Sequence, residues 1–209
     1  MRDTVSIIPA GRRIAESWWG RAWVSVLEGY ADFSNRMPRG RSYLRNGAVR
    51  DILISEGHIE ARVQGRMKRP YRIIIDISPL SGDKISGISA RCSGRIESLD
   101  ALVTGNIPSD IAELFVSKGG LFPTPEEIYF DCSCPDSAYM CKHVAAVLYG
   151  IAVMFDREPL LFFRLRGINV DTLVRKSVEE RTEKMLRNAG CRTGRMLDDR
   201  EIKDTFGIL

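Results

Sequence analysis

Residues 132–143 read Cys132-Ser133-Cys134-Pro135-Asp136-Ser137-Ala138-Tyr139-Met140-Cys141-Lys142-His143, a C-x-C-x6-C-x-H pattern. Three thiols and one imidazole grouped in this way are the ligand set of a closed tetrahedral zinc site. Because all four lie within twelve residues, a single local turn can bring them together. The stretch therefore predicts a zinc site that organises the later half of the chain.

The spacing of the four ligands fits a strand, a turn and a helix. Cys132 and Cys134 are two residues apart after the β-like run 128–130, so both can face one metal from an extended segment. Pro135 then interrupts strand pairing and turns the chain. Cys141 and His143 stand at the front of the apolar run 144–149, which is typical of a helix. A thiolate, the form that binds metal, is favoured at a helix start by the helix dipole.

Three other interpretations of the cysteines remain open. A disulfide needs an oxidising compartment, for which the sequence carries no secretory signal. A catalytic Cys–His pair would leave two of the clustered cysteines without a role. A redox or thiol-transfer function is the third and weakest alternative. The odd total of five cysteines also argues against a disulfide framework.

The same residues resemble the SWIM-type zinc finger, and their wider context, 132–136 and 141–149, is similar to the prokaryotic SWIM zinc finger proteins. The runs 18–24, 105–108, 121–123 and 165–167 are also similar to that family. The resemblance implies a ββα unit, Zn²⁺ as cofactor, and Cys132, Cys134, Cys141 and His143 as its ligands. It further implies binding to DNA or to proteins, often together with helicase-like ATPases of the Swi/Snf type.

The composition describes a globular protein without a membrane segment. Of 209 residues, 44% are hydrophobic and 28% are charged. No apolar run approaches the roughly 20 residues that span a bilayer. The first thirteen residues lack the apolar core of a signal peptide. We therefore expect a cytoplasmic protein with no membrane partner, and in a prokaryote a place at the nucleoid would be compatible.

Positive charge is concentrated in the first third of the chain. Residues 1–75 contain 14 Lys or Arg against 7 Asp or Glu, whereas residues 76–209 contain 17 against 20. Such an asymmetry favours an anionic partner, usually a nucleic acid, that docks on the basic part. A solvated charged face gives similar counts, so the asymmetry alone is a weak signal.

Residues 36–50 contain five arginines and no acidic residue. Pro38 and Gly40 indicate a loop, and Asn46-Gly47 is a hairpin signal, so Arg41, Tyr43 and Arg45 are predicted to lie on one face of a strand. A second basic turn follows at 65–70. Phosphate-binding arginines and a base-stacking tyrosine would suit nucleic acid, while charges that protect a sheet edge are the alternative. The predicted nucleic-acid-binding residues are Arg36, Arg39, Arg41, Tyr43, Arg45, Arg66, Lys68 and Arg69.

The predicted fold is α+β. Residues 1–80 should form an N-terminal helix, with Ser17 as its cap, and a basic antiparallel β-meander of about four strands. Residues 81–125 are patterned as a helical segment, 126–156 as the SWIM zinc finger, and 157–209 as C-terminal helices and a tail. The three tryptophans of the first helix suit a core face better than a base-stacking platform.

No sequence motif indicates an enzyme. The chain has no phosphate-binding P-loop, no nucleophile elbow and no zinc-protease helix. Four ligands fill the tetrahedron and leave the metal no open position for a water. We therefore expect a non-catalytic, zinc-stabilised module that binds nucleic acid, DNA more readily than RNA, as an accessory to a Swi/Snf-type ATPase. The alternative is a protein–protein adaptor without direct nucleic-acid contact, docked through the tryptophan helix or residues 170–188.

Overall fold

A computed structural model describes residues 7–30, 33, 35–92, 99–106, 108–171, 175, 179, 182, 183 and 185–187. In chain order the helices and strands are α1 (Trp18–Glu28), α2 (Met37–Arg45), β1 (Val49–Ser55), β2 (His58–Val63), β3 (Tyr71–Ile77), α3 (Gly82–Cys92), α4 (Leu99–Thr104), α5 (Ser109–Val116), a 3-10 turn (Pro125–Glu127), β4 (Ile128–Cys132), α6 (Lys142–Arg157) and α7 (Leu160–Leu165). The α+β class is thereby confirmed. The alternative docking segment predicted at 170–188 lies mostly outside the described residues.

The sheet is a four-stranded antiparallel meander in the order β1-β2-β3-β4. Alternation of apolar and polar residues places Ile59, Ala61 and Val63 of β2 on the buried face. The fourth strand is not the arginine-rich segment but β4, which runs directly into the metal ligands. It pairs with β3 so that Ile77 faces Ile128 and Ile73 faces Cys132. The two strands of the ββα finger are thus β3 and β4. The sheet therefore contains strands from both sides of the predicted boundaries at 80 and 125.

The predicted strand at 41–45 is wrong, because this segment is the helix α2. Met37, Gly40 and Leu44 recur at helical spacing and are the buried residues of α2. Proline is well tolerated in a first helical turn, so Pro38 starts the helix rather than a loop.

Asn46-Gly47 ends α2 instead of turning a hairpin. The Gly47 N–H donates to the Leu44 carbonyl at 2.9 Å, and the Ala48 N–H donates to the Tyr43 carbonyl at 3.0 Å. Gly47 has a φ of 65°, so the end of the helix has the hydrogen-bond pattern of a Schellman motif. The pair Asn46-Gly47 readily adopts left-handed backbone angles, which suit both a hairpin turn and the end of a helix. The sequence alone therefore favoured the hairpin.

Helix α6 is the centre of the molecule. Twelve of its sixteen residues are buried, and it packs against α1, α2 and all four strands. Its neighbours approach through glycines: a Cβ added to Gly20 of α1 would lie 2.8 Å from the Ala152 carbonyl oxygen, and one added to Gly40 of α2 would lie 2.6 Å from the Ala145 carbonyl carbon. The sequence of α6 therefore fixes the positions of the elements around it.

The tryptophan helix belongs to the core. Trp19 and Trp23 have no exposed surface. Their indole N–H groups donate to the carbonyls of Leu102 and Leu148 at 2.8 and 2.9 Å. Ser17 caps the helix by accepting the Gly20 N–H, as predicted, and its own N–H and hydroxyl both donate to Asp156 at the end of α6. Trp19 and Trp23 cannot act as a base-stacking platform.

Among the described residues, none of the helices combines the length and the apolar character that crossing a bilayer requires.

Replacing Gly40 with alanine is expected to destabilise the fold by about 3 kcal/mol, at the upper end of the usual cost of overpacking. The new Cβ would lie 2.4 Å from the Ala145 Cβ and 2.8 Å from the Ala146 backbone nitrogen, so α2 would have to move away from α6. Urea denaturation measures the change in unfolding free energy. The matched control is Gly87→Ala in α3, where no described atom beyond the adjoining residues and the helix's own backbone lies within 4 Å of the new Cβ, and a slight stabilisation is expected.

Candidate metal centre and adjoining basic surface

Four side chains converge where β4 ends and α6 begins. Cys132 is the last residue of β4, Cys134 follows it in the connecting loop, Cys141 is the N-cap of α6, and His143 lies in the first helical turn. Their ligand atoms all lie within 4.8 Å of one another. The structure thus brings together all four residues predicted from the spacing.

The distances and donor types suit zinc. A tetrahedral Zn²⁺ with ordinary bond lengths holds a sulfur and a nitrogen ligand about 3.6 Å apart. The Cys141 Sγ and the His143 Nδ1 are 3.7 Å apart. Nδ1 is therefore the ring nitrogen that faces the thiol cluster, while Nε2 lies on the side of Gly65, whose added Cβ would be 3.2 Å away.

The surroundings of the four side chains favour ionisation of one thiol, that of Cys141. Hydrogen bonds from the Cys132 thiol, from His143 and from backbone N–H groups at the start of α6 lower the pKa of the Cys141 thiol to about 3. The pKa of Cys132 is raised, because its thiol donates to Cys141 and is half-buried. A thiolate at Cys141 is already the metal-binding form, and a bound Zn²⁺ would supply charge that favours ionisation of the Cys132 and Cys134 thiols.

The loop between the ligand pairs is tied to the sheet and to α2. The Arg72 N–H donates to the Ser133 Oγ at 3.0 Å, and the Ser133 N–H returns to the Arg72 carbonyl at 3.0 Å. Arg36 lies 3.7 Å from Asp136, and the Tyr139 hydroxyl donates to the Ile128 carbonyl at 2.6 Å. These contacts hold the loop in place around the ligands.

Residues 131–149 match the family model described as SWIM zinc finger. With the four ligands assembled in this stretch, the class of the protein follows: it is a zinc-binding protein whose metal site is a Cys3His finger. The resemblance inferred from the sequence is confirmed here, and the chain contains a SWIM-type zinc finger.

A similar protein is the uncharacterized protein Rv2102 of Mycobacterium tuberculosis, which is 38% identical over 156 residues. The match covers 74% of this chain and 56% of that protein, so the chain spans little more than half the length of its relative. No solved structure matches the chain.

Two aromatic rings join the metal site to the basic segments. The Tyr43 ring of α2 lies 5.3 Å from the His143 ring, and the Tyr71 ring, which follows the basic turn, lies 4.7 Å from it. Lys142 Nζ lies 5.8 Å from the centre of the Tyr43 ring. We call the group around these rings the zinc-side basic surface; it consists of Arg39, Tyr43, Arg66, Lys68, Arg69 and Lys142.

The helical geometry divides the predicted nucleic-acid-binding residues into two groups. Arg39 and Tyr43 share the flank of α2 that faces the metal site, since they are four residues apart. Arg41 and Arg45 lie on the opposite flank, where Arg41 pairs with Glu28 and Arg45 donates to the Arg12 carbonyl. The prediction that Arg41, Tyr43 and Arg45 share a face is therefore wrong.

Residues 65–70 connect β2 and β3 as the predicted basic turn, and Arg66, Lys68 and Arg69 are all exposed. The Gln64 amide nitrogen donates to the Met67 carbonyl at 2.6 Å and so closes the turn. In the part of the chain that the structure describes, Arg39 and these three cations have no hydrogen-bond or ion-pair partner. Sequence reasoning missed Lys142 and Tyr71, because only the folded chain places Lys142 over the Tyr43 ring and the Tyr71 ring against His143.

Proposed function

We propose that this chain is a zinc-stabilised module that binds nucleic acid, DNA more readily than RNA, through the zinc-side basic surface. The observation that carries the proposal is the contact of Tyr43 and Tyr71 with the ligand His143. These contacts place the cations of α2, of the turn 65–70 and of the start of α6 beside one metal site. Cations gathered on one face are the usual electrostatic footprint of a nucleic-acid-binding protein.

The charges on this surface are available to a ligand. The Lys142 ammonium lies over the face of Tyr43, and Arg39, Arg66, Lys68, Arg69 and Lys142 pair with no described acidic group. Arg36 is excluded from this set because it already pairs with Asp136. Guanidinium and ammonium groups that are not already paired can bind phosphate oxygens without first breaking an internal ion pair. Tyr43 supports Lys142 in this proposal rather than stacking on a base.

Zinc has a structural role in this proposal. It would hold β4 and α6 together so that the surface keeps its shape, and it would supply charge that keeps three thiolates ionised. Because the four protein ligands complete the coordination shell, the proposal assigns no catalytic step to the metal or to the chain.

The test is a fluorescence-anisotropy titration of a labelled DNA duplex across a salt series. Wild-type affinity should fall steeply as the salt concentration rises. The triple substitution Arg66→Gln/Lys68→Gln/Arg69→Gln should make the plot of log K against log salt less steep. The steepness should decrease by about 2–3, since each phosphate contact contributes about 0.9. The control is Arg157→Gln/Arg164→Gln. These two exposed cations lie near the far end of α6, which rises about 20 Å from His143 to Arg157.

Absence of DNA binding at low salt, or an equal effect of both sets of substitutions, would contradict the proposal. Repeating the titration with a single strand and with an RNA duplex tests the preference for DNA. An RNA affinity equal to the DNA affinity would remove that part of the proposal.

The second candidate function is a protein–protein adaptor, with a helicase-like ATPase of the Swi/Snf type as the partner suggested by the family resemblance. A groove of about 890 Å³ between α1 and α5 favours it, because Trp18, Val26 and Val116 give it an apolar lining. A pull-down from the native host with nuclease separates the candidates. Retention of such an ATPase after nuclease treatment, together with its loss on Val26→Glu, supports the adaptor; retention only while DNA is intact supports nucleic-acid binding.

A further inference from the structure

A second basic site lies on the other side of α2 from the metal centre. It is a cavity of about 370 Å³ between α1, α2 and residues 12–15. Its charged lining consists of Arg12, Arg13, Arg21, Arg41, Arg45 and Glu28. Five guanidinium groups thus surround one open space, and one carboxylate opposes them.

Helical spacing explains why these residues meet. Arg21, Ser25 and Glu28 follow one another along one face of α1, and Arg41 and Arg45 are one turn apart on α2. The guanidinium of Arg45 donates to the Arg12 carbonyl, so residues 12–15 are held across the groove. The cavity is therefore built by three separate parts of the chain.

Glu28 compensates only one of the five arginines, because its charge is engaged by Arg41. Its Oε1 accepts hydrogen bonds from the Arg41 guanidinium and, at 2.5 Å, from the Tyr149 hydroxyl. Burial and the neighbouring Glu28 raise the pKa of Tyr149 to about 12, so its hydroxyl stays protonated and continues to donate. Arg41 Nε is buried and has no hydrogen-bond partner among the described residues.

The other four arginines are poorly compensated. In the described part of the chain, the side chains of Arg12 and Arg21 pair with no other group. Arg13 has an exposed contact of 3.9 Å with Glu16, and surface pairs of this kind contribute little. Arg45 is bound to a carbonyl, which leaves its positive charge uncompensated.

We propose that this cavity binds a phosphate-bearing anion of up to nucleotide size. Arginine forks match the geometry of phosphate oxygens, and the volume falls within the range of small-ligand pockets. A free polyphosphate compound and the phosphate backbone of a nucleic acid offer the same chemistry. The site is separate from the zinc-side basic surface, because Arg41 and Arg45 occupy the flank of α2 opposite to Tyr43.

The proposal is tested by isothermal titration at low salt with three probes: inorganic pyrophosphate, ATP and a short DNA duplex. The test variant is Arg12→Gln/Arg21→Gln, chosen because these side chains make no described contact that the fold needs. We expect the variant to bind at least one probe about tenfold or more weakly than the wild type, since charge-assisted hydrogen bonds are lost. Circular dichroism confirms that the variant is folded.

The matched control is Arg157→Gln/Arg164→Gln, which removes two exposed cations outside both basic sites and should leave the affinity for pyrophosphate and ATP unchanged. Binding of the free anions that depends on Arg12 and Arg21 assigns a soluble ligand. Dependence seen with the duplex alone assigns the nucleic-acid backbone. If no probe binds, or if every affinity is indifferent to Arg12 and Arg21, the cavity is not an anion site, even where the zinc-side variants show that the proposed DNA surface is correct.

Discussion

Substitution of Cys141 by serine is expected to remove zinc and to unfold the region around α6. Structural zinc contributes about 10–16 kcal/mol to the folding of isolated finger peptides, which is comparable to the whole stability of a small domain. Cys141 is buried and begins the helix on which α1, α2 and the sheet pack. Zinc content per chain, far-UV circular dichroism and thermal unfolding measure the result.

The control is Cys191→Ser, which changes a cysteine outside the ligand pattern and should keep one zinc per chain. A strong chelator should act on the wild type as Cys141→Ser does, with loss of helical signal. A chelated protein that keeps its ellipticity and its melting temperature would show that the fold does not depend on the metal.

Arg166→Met is expected to destabilise the protein by about 3–5 kcal/mol, the usual cost of leaving a buried ion without its partner. Arg166 has no exposed surface. It donates to the Leu121 carbonyl at 2.9 Å, to the Ser78 carbonyl at 2.6 Å and to Glu127 at 3.0 Å. Methionine fills similar space but removes the guanidinium donor from the Leu121 and Ser78 carbonyls and leaves Glu127 with Lys84 as its cationic partner. Chemical denaturation measures the loss.

The neighbouring Arg164→Met is the matched control, because Arg164 is exposed and a change within about 0.5 kcal/mol is expected. Adding Glu127→Gln to Arg166→Met should recover part of the loss, since the carboxylate that has lost its buried partner is then neutral, although its ion pair with Lys84 is lost as well. A double variant no more stable than Arg166→Met would show that the carboxylate is not the cause.

The ion pair of Glu127 and Arg166 also predicts that the free energy of unfolding depends on pH in the acid range. Burial alone would raise the pKa of Glu127, but the charge of Arg166 and the hydrogen bonds from Lys84 and the Thr124 N–H lower it overall. Its contribution to stability is therefore present above the ordinary value of 4.5 and is lost as the pH falls through the lowered pKa. Glu127→Gln should flatten this part of the profile of unfolding free energy against pH.

The metal centre could be predicted because its information is local. The alternation C-x-C and the pair Cys141 and His143 at a helix start place four ligands within twelve residues, and no distant contact is needed. The strands β1 to β3 were equally accessible, since a hairpin with one buried face imposes a period of two on its own residues.

Features of the fold that depend on contacts between distant residues could not be predicted from the sequence. Met37, Gly40 and Leu44 mark α2 as a helix, yet the arginines around them and the turn signal at Asn46-Gly47 favoured a hairpin. The pairing of β4 with β3 joins residues more than fifty positions apart. In the sequence, Arg166 looks like an ordinary surface charge. Only the folded chain shows that it is buried and donates to acceptors at 78, 121 and 127.

Strand β4 forms one border of the sheet, and its last residue is the ligand Cys132. A chain that loses its metal also loses the anchor of this outermost strand, and the hydrogen-bonding groups of β3 become open to a strand from another molecule. Zinc starvation would then cause self-association of the apoprotein. We therefore expect the ion to protect the protein from aggregation as well as to stabilise its fold.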